Sequence, residues 1–129
     1  MHAGLFPLAA PLLALAAVAA ILMIKRASQI SPQQAWAYLK NGALLIDVRS
    51  REEFSSGHLA GAINLPLNEI ESSLPQRVKD KNHVLLLHCH SGLRSGLAKQ
   101  RLKAIGYTKA FNLGSYKRAE SIAHCTHCA

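Results

Sequence analysis

Residues 89–95 combine a cysteine, a glycine, an arginine and two serines in one short segment. A cysteine that leaves a strand and enters the N-terminus of a helix lies against free backbone N–H groups and the positive end of the helix dipole. That position lowers the pKa of a thiol, makes it a nucleophile and attracts anions. We therefore interpret Cys89 as the nucleophile of a substrate-binding active loop, whose other members are His90, Ser91, Gly92, Leu93, Arg94 and Ser95.

Two regular elements position this loop. Residues 84–88 form the short apolar run VLLLH, which predicts a buried strand. Residues 96–105 carry Leu97, Leu102 and Ile105 at helical spacing, with basic residues on the other faces, which predicts an amphipathic helix. Ligands of parallel sheets bind beyond the carboxyl ends of the strands, so the place of Cys89 agrees with its chemistry.

A second motif precedes the loop in the chain. Residues 44–49 read LLIDVR, Glu52-Glu53-Phe54 follow, and residues 57–66 read GHLAGAINLP. With the Cys89 loop, this stretch resembles the rhodanese (sulfurtransferase) family, in which a D-V-R…E-F…G-H-I-x-G-A-x-N-I-P segment precedes a cysteine-initiated loop with glycine at its fourth position. The resemblance covers residues 30–120 and points to the small, single-domain, membrane-anchored bacterial members.

The resemblance implies a sulfurtransferase that needs no cofactor. The Cys89 thiolate attacks the outer sulfur of thiosulfate or of a persulfide donor and becomes a persulfide. The terminal sulfur then passes to cyanide, to a thiol or to a protein. Gly92 is expected to adopt a positive φ, and Arg94 to stand beside the incoming oxyanion. His90 and Ser91 are expected to face the substrate, while Ser95 either caps the following helix or bonds the sulfur.

Asp47 and Arg49 are expected to support the site. In the resembled family this pair is mainly a structural fixture near the active face, with the acidic residue accepting hydrogen bonds from loop groups. A structural role is therefore favoured over a direct catalytic one.

Other functions fit the sequence less well. A related phosphatase branch has five residues between its cysteine and its arginine, whereas four separate Cys89 from Arg94, and the smaller ring suits sulfur better than phosphate or arsenate. Non-catalytic binding modules of this type usually lose the cysteine. The main alternative is a membrane-associated sulfur-relay or redox partner with little thiosulfate activity.

The N-terminal segment predicts a membrane anchor. Residues 5–24 are dominated by apolar side chains, and Lys25-Arg26 ends the run. About 20 such residues suffice to cross the hydrocarbon core of a bilayer. The absence of a basic segment before the run favours a retained transmembrane helix over a cleaved signal peptide. The positive-inside rule then places the domain in the cytoplasm, at the inner membrane, with a periplasmic domain as the alternative if the N-terminus is processed.

Length and element order predict one α/β domain. The chain has 129 residues and a net charge of +8, but its basic residues are scattered without aromatic interleaving, which argues against a nucleic-acid partner. Predicted strands alternate with predicted helices, which indicates a parallel sheet flanked by helices. We divide the chain into the anchor (residues 1–26), a rhodanese-like domain (residues 27–123) and a Cys/His tail (residues 124–129).

The tail places two cysteines and two histidines within residues 124–128. Three interpretations remain open: a disordered remnant, a thiol pair that takes sulfur from Cys89, or a weak or shared metal site formed by Cys125, His127 and Cys128. The sequence offers no second ligand cluster, so we expect no resident metal.

Overall fold

The computed structural model describes residues 6–125, except for the side chains of residues 6–7 and 25–27. Six α-helices alternate with four β-strands along these residues. The helices are α1 (Phe6–Ala27), α2 (Pro32–Lys40), α3 (Arg51–Ser56), α4 (Ile70–Arg77), α5 (Leu93–Ala104) and α6 (Tyr116–Ala123), and the strands are β1 (Leu44–Asp47), β2 (Ile63–Asn64), β3 (Leu85–His88) and β4 (Ala110–Gly114). A 3-10 turn, Leu67–Glu69, leads into α4.

The four strands form one parallel sheet in the order β2-β1-β3-β4, which confirms the predicted α/β fold. Side chains of β3 alternate between the two faces of the sheet. Leu85 and Leu87 join the core beneath α4 and α5, whereas Leu86 joins the core beneath α2 and α6. Strand β3 is thus covered by helices on both faces of the sheet, and Cys89 follows directly after its carboxyl end.

Local sequence signals explain most helix starts. Ser31 caps α2 by accepting the N–H of Gln34, with proline at the next position. Ser50 caps α3 through a capping box, in which Ser50 Oγ accepts the Glu53 N–H while the Glu53 carboxylate accepts the Ser50 N–H. The capping box fixes the start of the helix that carries Glu53.

One predicted helix boundary was wrong, and one helix runs through a proline. Helix α5 begins at Leu93 rather than at residue 96, because Gly92 takes a left-handed conformation that ends the loop early. Helix α4 continues past Pro75 to Arg77. A proline so near the helix end costs only one intrahelical hydrogen bond, so it does not terminate the helix at once.

Helix α1 occupies the segment predicted as an anchor. Its leucine, isoleucine, valine and methionine side chains between residues 8 and 24 are exposed. Within residues 6–125, no helix meets both the length and the apolarity needed to cross a membrane, so the predicted transmembrane helix is not supported. The first five residues of that prediction lie outside the described part of the chain.

Candidate active site

Cys89 follows β3 directly and lies in the bend that leads into α5. Its backbone N–H donates to the carbonyl of Gly114 at 3.2 Å, which ties the loop to the carboxyl end of β4. The residue is fully buried. A thiol in this place is held by two neighbouring strands and by the first turn of a helix.

Two donors converge on the Cys89 sulfur. The Gly92 N–H lies 3.0 Å from Sγ, and the Ser95 hydroxyl lies 3.5 Å from it. Burial raises the pKa of the Cys89 thiol, but hydrogen bonds from the Ser95 hydroxyl and from backbone N–H groups of the loop outweigh burial and lower the pKa. The site therefore favours the thiolate, which is the nucleophilic form.

Gly92 adopts the positive φ that the sequence predicted, at 94°. A Cβ at this position would lie 3.3 Å from the Gly114 Cα and from the Gln29 side chain, which is tighter than ordinary contact. Glycine is therefore required both for the conformation that directs the N–H at sulfur and for the packing against β4.

Asn112 holds the loop from β4, and the sequence analysis did not identify it. Its Oδ1 accepts from the Ser95 hydroxyl at 2.7 Å and from the Gly114 N–H at 2.9 Å, while its Nδ2 donates to the Gly92 carbonyl at 3.2 Å. The only signal for this role in the sequence is a polar residue within the otherwise apolar run of residues 110–113, AFNL. Its side chain is buried and joins both residues that donate to the sulfur.

Ser95 lies inside α5, so it does not cap the helix; Gly92 is the residue at the N-cap. Its hydroxyl carries one proton and can serve only one acceptor at a time. The hydroxyl lies 2.7 Å from Asn112 Oδ1 and 3.5 Å from both the Cys89 sulfur and the Gly114 carbonyl. The predicted helix cap is therefore wrong, and a hydrogen bond to the sulfur requires the proton to turn from Asn112 toward Cys89.

Arg94 forms a bidentate ion pair with Glu53 of α3. The distances are 2.6 Å from Nη1 to Oε1 and 3.0 Å from Nη2 to Oε2. Hydrogen bonds from Arg94 lower the pKa of Glu53 to about 2, so the carboxylate stays charged at neutral pH. The Glu53 carboxylate and, less strongly, the Cys89 thiolate raise the pKa of Arg94, although burial opposes them. The guanidinium is thus within electrostatic reach of the sulfur, and the sequence analysis missed its partner.

Asp47 and Arg49 form a buried ion pair next to the active loop. Asp47 accepts from the Arg49 backbone and guanidinium, at 2.7 Å for the shortest contact. Arg49 also donates to the Gly57 carbonyl and lies 4.8 Å from the Tyr116 ring centroid. The expectation that Asp47 accepts bonds from loop groups was wrong, because Arg49 occupies its carboxylate oxygens instead.

The remaining loop side chains point to different surroundings. His90 is exposed and lines a cleft of ≈ 600 Å³ between α3 and the start of α6. Ser91 forms an isolated bridge with Ser115, and Leu93 is exposed on the first turn of α5. Of the loop side chains, His90 thus lines the cleft, and the apolar Leu93 is exposed outside it.

The tail contributes little to this site within the described residues. Cys125 is disulfide-bonded, and its carbonyl accepts a hydrogen bond from the Trp36 indole at 3.0 Å. Among residues 6–125, no three His, Cys, Asp or Glu side chains gather into a possible metal site. His127 and Cys128 of the predicted metal set lie outside the described residues.

Comparisons with known proteins point to one family. Residues 31–120 match the family model described as Rhodanese-like domain. Thiosulfate sulfurtransferase PspE of Escherichia coli is 42% identical over 72 residues, which cover 56% of this chain and 69% of that protein. Thiosulfate:glutathione sulfurtransferase of Homo sapiens is 36% identical over 88 residues, with coverages of 58% and 76%.

Solved structures agree with these sequence matches. A rhodanese with anions from E. coli aligns with a TM-score of 0.58 and 39% identity, covering 60% of this chain and 91% of that one. A human single-domain sulfurtransferase aligns with a TM-score of 0.62 and 32% identity, covering 71% and 94%.

Proposed function

Because this chain belongs to the rhodanese-like domain family and is a rhodanese-type sulfurtransferase, we propose that it carries sulfur as a persulfide on Cys89. The donor is thiosulfate or a persulfide, and the acceptor is cyanide, a thiol or a protein. The observation that carries this proposal is the convergence of the Gly92 N–H and the Ser95 hydroxyl on a buried sulfur whose pKa is lowered.

The first half-reaction loads the cysteine. The Cys89 thiolate attacks the outer sulfur of thiosulfate, the donor's S–S bond breaks, and sulfite leaves with the bonding electron pair. The loop N–H groups then hydrogen-bond the negatively charged outer sulfur, as they do the thiolate. We expect the Arg94 guanidinium, whose pKa is raised in part by the Cys89 thiolate, to attract the sulfonate oxygens of the donor. Support comes from the E. coli relative, which is named a thiosulfate sulfurtransferase.

The second half-reaction returns the enzyme to its starting state. A nucleophilic acceptor attacks the outer sulfur, and Cys89 leaves as a thiolate that the same donors stabilise. No electrons enter or leave the system overall, so no cofactor is required. The human relative, named for thiosulfate and glutathione, supports a thiol as one class of acceptor.

Intact mass spectrometry tests the persulfide directly. After incubation with thiosulfate and removal of excess donor, the protein should gain the mass of one sulfur atom, and cyanide should remove it with release of thiocyanate. Prior alkylation of the thiol with iodoacetamide should prevent the gain. A protein that turns thiosulfate over without ever gaining sulfur would show that the reaction does not pass through an enzyme persulfide.

Location at the cytoplasmic face of the inner membrane stays a prediction. Its support is the basic pair Lys25-Arg26 after an apolar segment, together with the exposure of the apolar side chains of α1 between residues 8 and 24. The full chain should sediment with membranes and resist alkaline carbonate, whereas a version lacking residues 1–26 should remain in the supernatant. Recovery of the full chain in the soluble fraction would contradict the prediction.

A further inference from the structure

We propose that the cleft beside the active loop binds the sulfur acceptor, that this acceptor is a small thiol bearing a carboxylate, and that Lys117 selects its negative charge. This inference rests on the proposed sulfurtransferase reaction. The cleft is lined by Arg49, Glu53, Ser56, Gly57, His90, Ser115, Tyr116 and Lys117.

The cleft is joined to the catalytic loop. His90 follows Cys89 directly and forms part of the cleft wall, and the Tyr116 N–H donates to the His90 carbonyl at 3.3 Å. A sulfur added to Cys89 lies about 2 Å beyond Sγ, since that is the length of an S–S bond. The cleft wall therefore includes the residue that follows the sulfur-carrying cysteine in the chain.

The charges around the cleft leave one cation unneutralised. Arg49 is buried and paired with Asp47, and the only carboxylate of the lining, Glu53, is paired with Arg94. Lys117 is exposed, and it forms no ion pair with any residue that the structure describes. Among the described residues, Lys117 is thus the cation of the lining that has no carboxylate partner, and an anionic ligand in the cleft can contact its ammonium.

The size of the cleft favours a small molecule. Its volume of ≈ 600 Å³ falls within the range of about 300–1,000 Å³ that small-molecule sites occupy. Its lining includes the Arg49 guanidinium and the Tyr116 ring, which make a cation–π contact at 4.8 Å. Arg49 is held by Asp47 and by the Gly57 carbonyl, so the exposed Lys117 is the more accessible cation for a carboxylate.

Sulfur transfer to such a thiol balances without another reactant. The acceptor thiolate attacks the outer sulfur of the Cys89 persulfide and forms a new S–S bond. The bond between the outer sulfur and Sγ breaks, and its electron pair leaves with Cys89 as the thiolate. The product is the persulfide of the acceptor.

The test compares two thiols of similar size, mercaptoacetate and mercaptoethanol, with thiosulfate as donor. In Lys117→Ala, kcat/KM for mercaptoacetate should fall about three- to fivefold, which is the effect of losing one exposed charge pair, while kcat/KM for mercaptoethanol stays unchanged. Lys117→Arg should keep the preference for mercaptoacetate. Lys109→Ala removes an exposed lysine at the start of β4, at the opposite edge of the sheet, and should change none of these values.

The outcomes separate this inference from the proposed function. An equal fall for both thiols in Lys117→Ala, or no fall for either, would overturn the assignment of Lys117 and its cleft. A wild-type protein that transfers sulfur from thiosulfate neither to cyanide nor to either thiol would instead overturn the proposed reaction. Alanine is well tolerated on an exposed helix, so the variant is expected to fold, and a thermal melt confirms it.

Discussion

Replacing Cys89 by serine should lower thiosulfate:cyanide turnover by roughly a thousandfold or more, because an alcohol is a far weaker nucleophile at neutral pH and forms no persulfide. The hydroxyl can still accept the Gly92 N–H that lies 3.0 Å from Sγ, so the loop keeps one of its contacts. The measurement is steady-state thiocyanate production across a range of thiosulfate concentrations.

Two controls make the loss specific to Cys89. The thermal unfolding midpoint of Cys89→Ser should stay close to that of the wild type, which excludes a general loss of structure. Substitution of Cys125, which is disulfide-bonded and packs near Trp36, should leave thiocyanate production intact. If Cys89→Ser still produced thiocyanate at the wild-type rate, a residue other than Cys89 would have to carry the sulfur.

Replacing Gly92 by alanine should reduce kcat/KM for thiosulfate by about 10- to 100-fold. The φ of 94° carries a penalty for any residue with a Cβ, and the added carbon would press on the Gly114 Cα at 3.3 Å. The loop must relax, which moves the Gly92 N–H away from the sulfur and raises the pKa of the thiol. The rate of iodoacetamide alkylation against pH measures that change as a shift of its midpoint to higher pH.

Gly42→Ala is the matched control for this variant. Gly42 has a φ of 91°, nearly that of Gly92, but no heavy atom lies within 4 Å of a Cβ built there. Both substitutions should lower the free energy of unfolding by about 1–2 kcal/mol through backbone strain. Only Gly92→Ala should change the alkylation profile; the same shift in Gly42→Ala would show that strain anywhere in the domain perturbs the thiol.

Features that depend on residues close together in the chain could be predicted from the sequence. Apolar runs alternating with helical segments predicted the parallel sheet, and the place of Cys89 after the VLLLH run put the sulfur at a carboxyl edge. The positive φ of Gly92 also follows from residue type and position alone. Each of these predictions needs only neighbouring residues and general rules of strand and helix geometry.

The features that were missed depend on contacts between distant residues. Glu53 meets Arg94 across 41 positions of sequence, and Asn112 meets Ser95 across 17. Both contacts require knowing that β4 lies beside β3 and that α3 faces the loop, which element order alone leaves undetermined. Asp47 was expected to accept hydrogen bonds from the active loop. Its carboxylate instead accepts from the backbone N–H and the guanidinium of Arg49, which is only two residues away in the chain.

The ion pair between Glu53 and Arg94 turns binding of the proposed donor into an exchange of anions. The guanidinium already holds a carboxylate through two hydrogen bonds, at 2.6 and 3.0 Å, before any sulfonate arrives. The resting enzyme thus carries an internal counter-ion, and a donor gains only the difference between its own attraction to Arg94 and that of Glu53. Donor selectivity then depends on how strongly Arg94 attracts the donor compared with Glu53. A substitution in α3 that weakens the ion pair would therefore change donor selectivity without altering the residues that contact the sulfur.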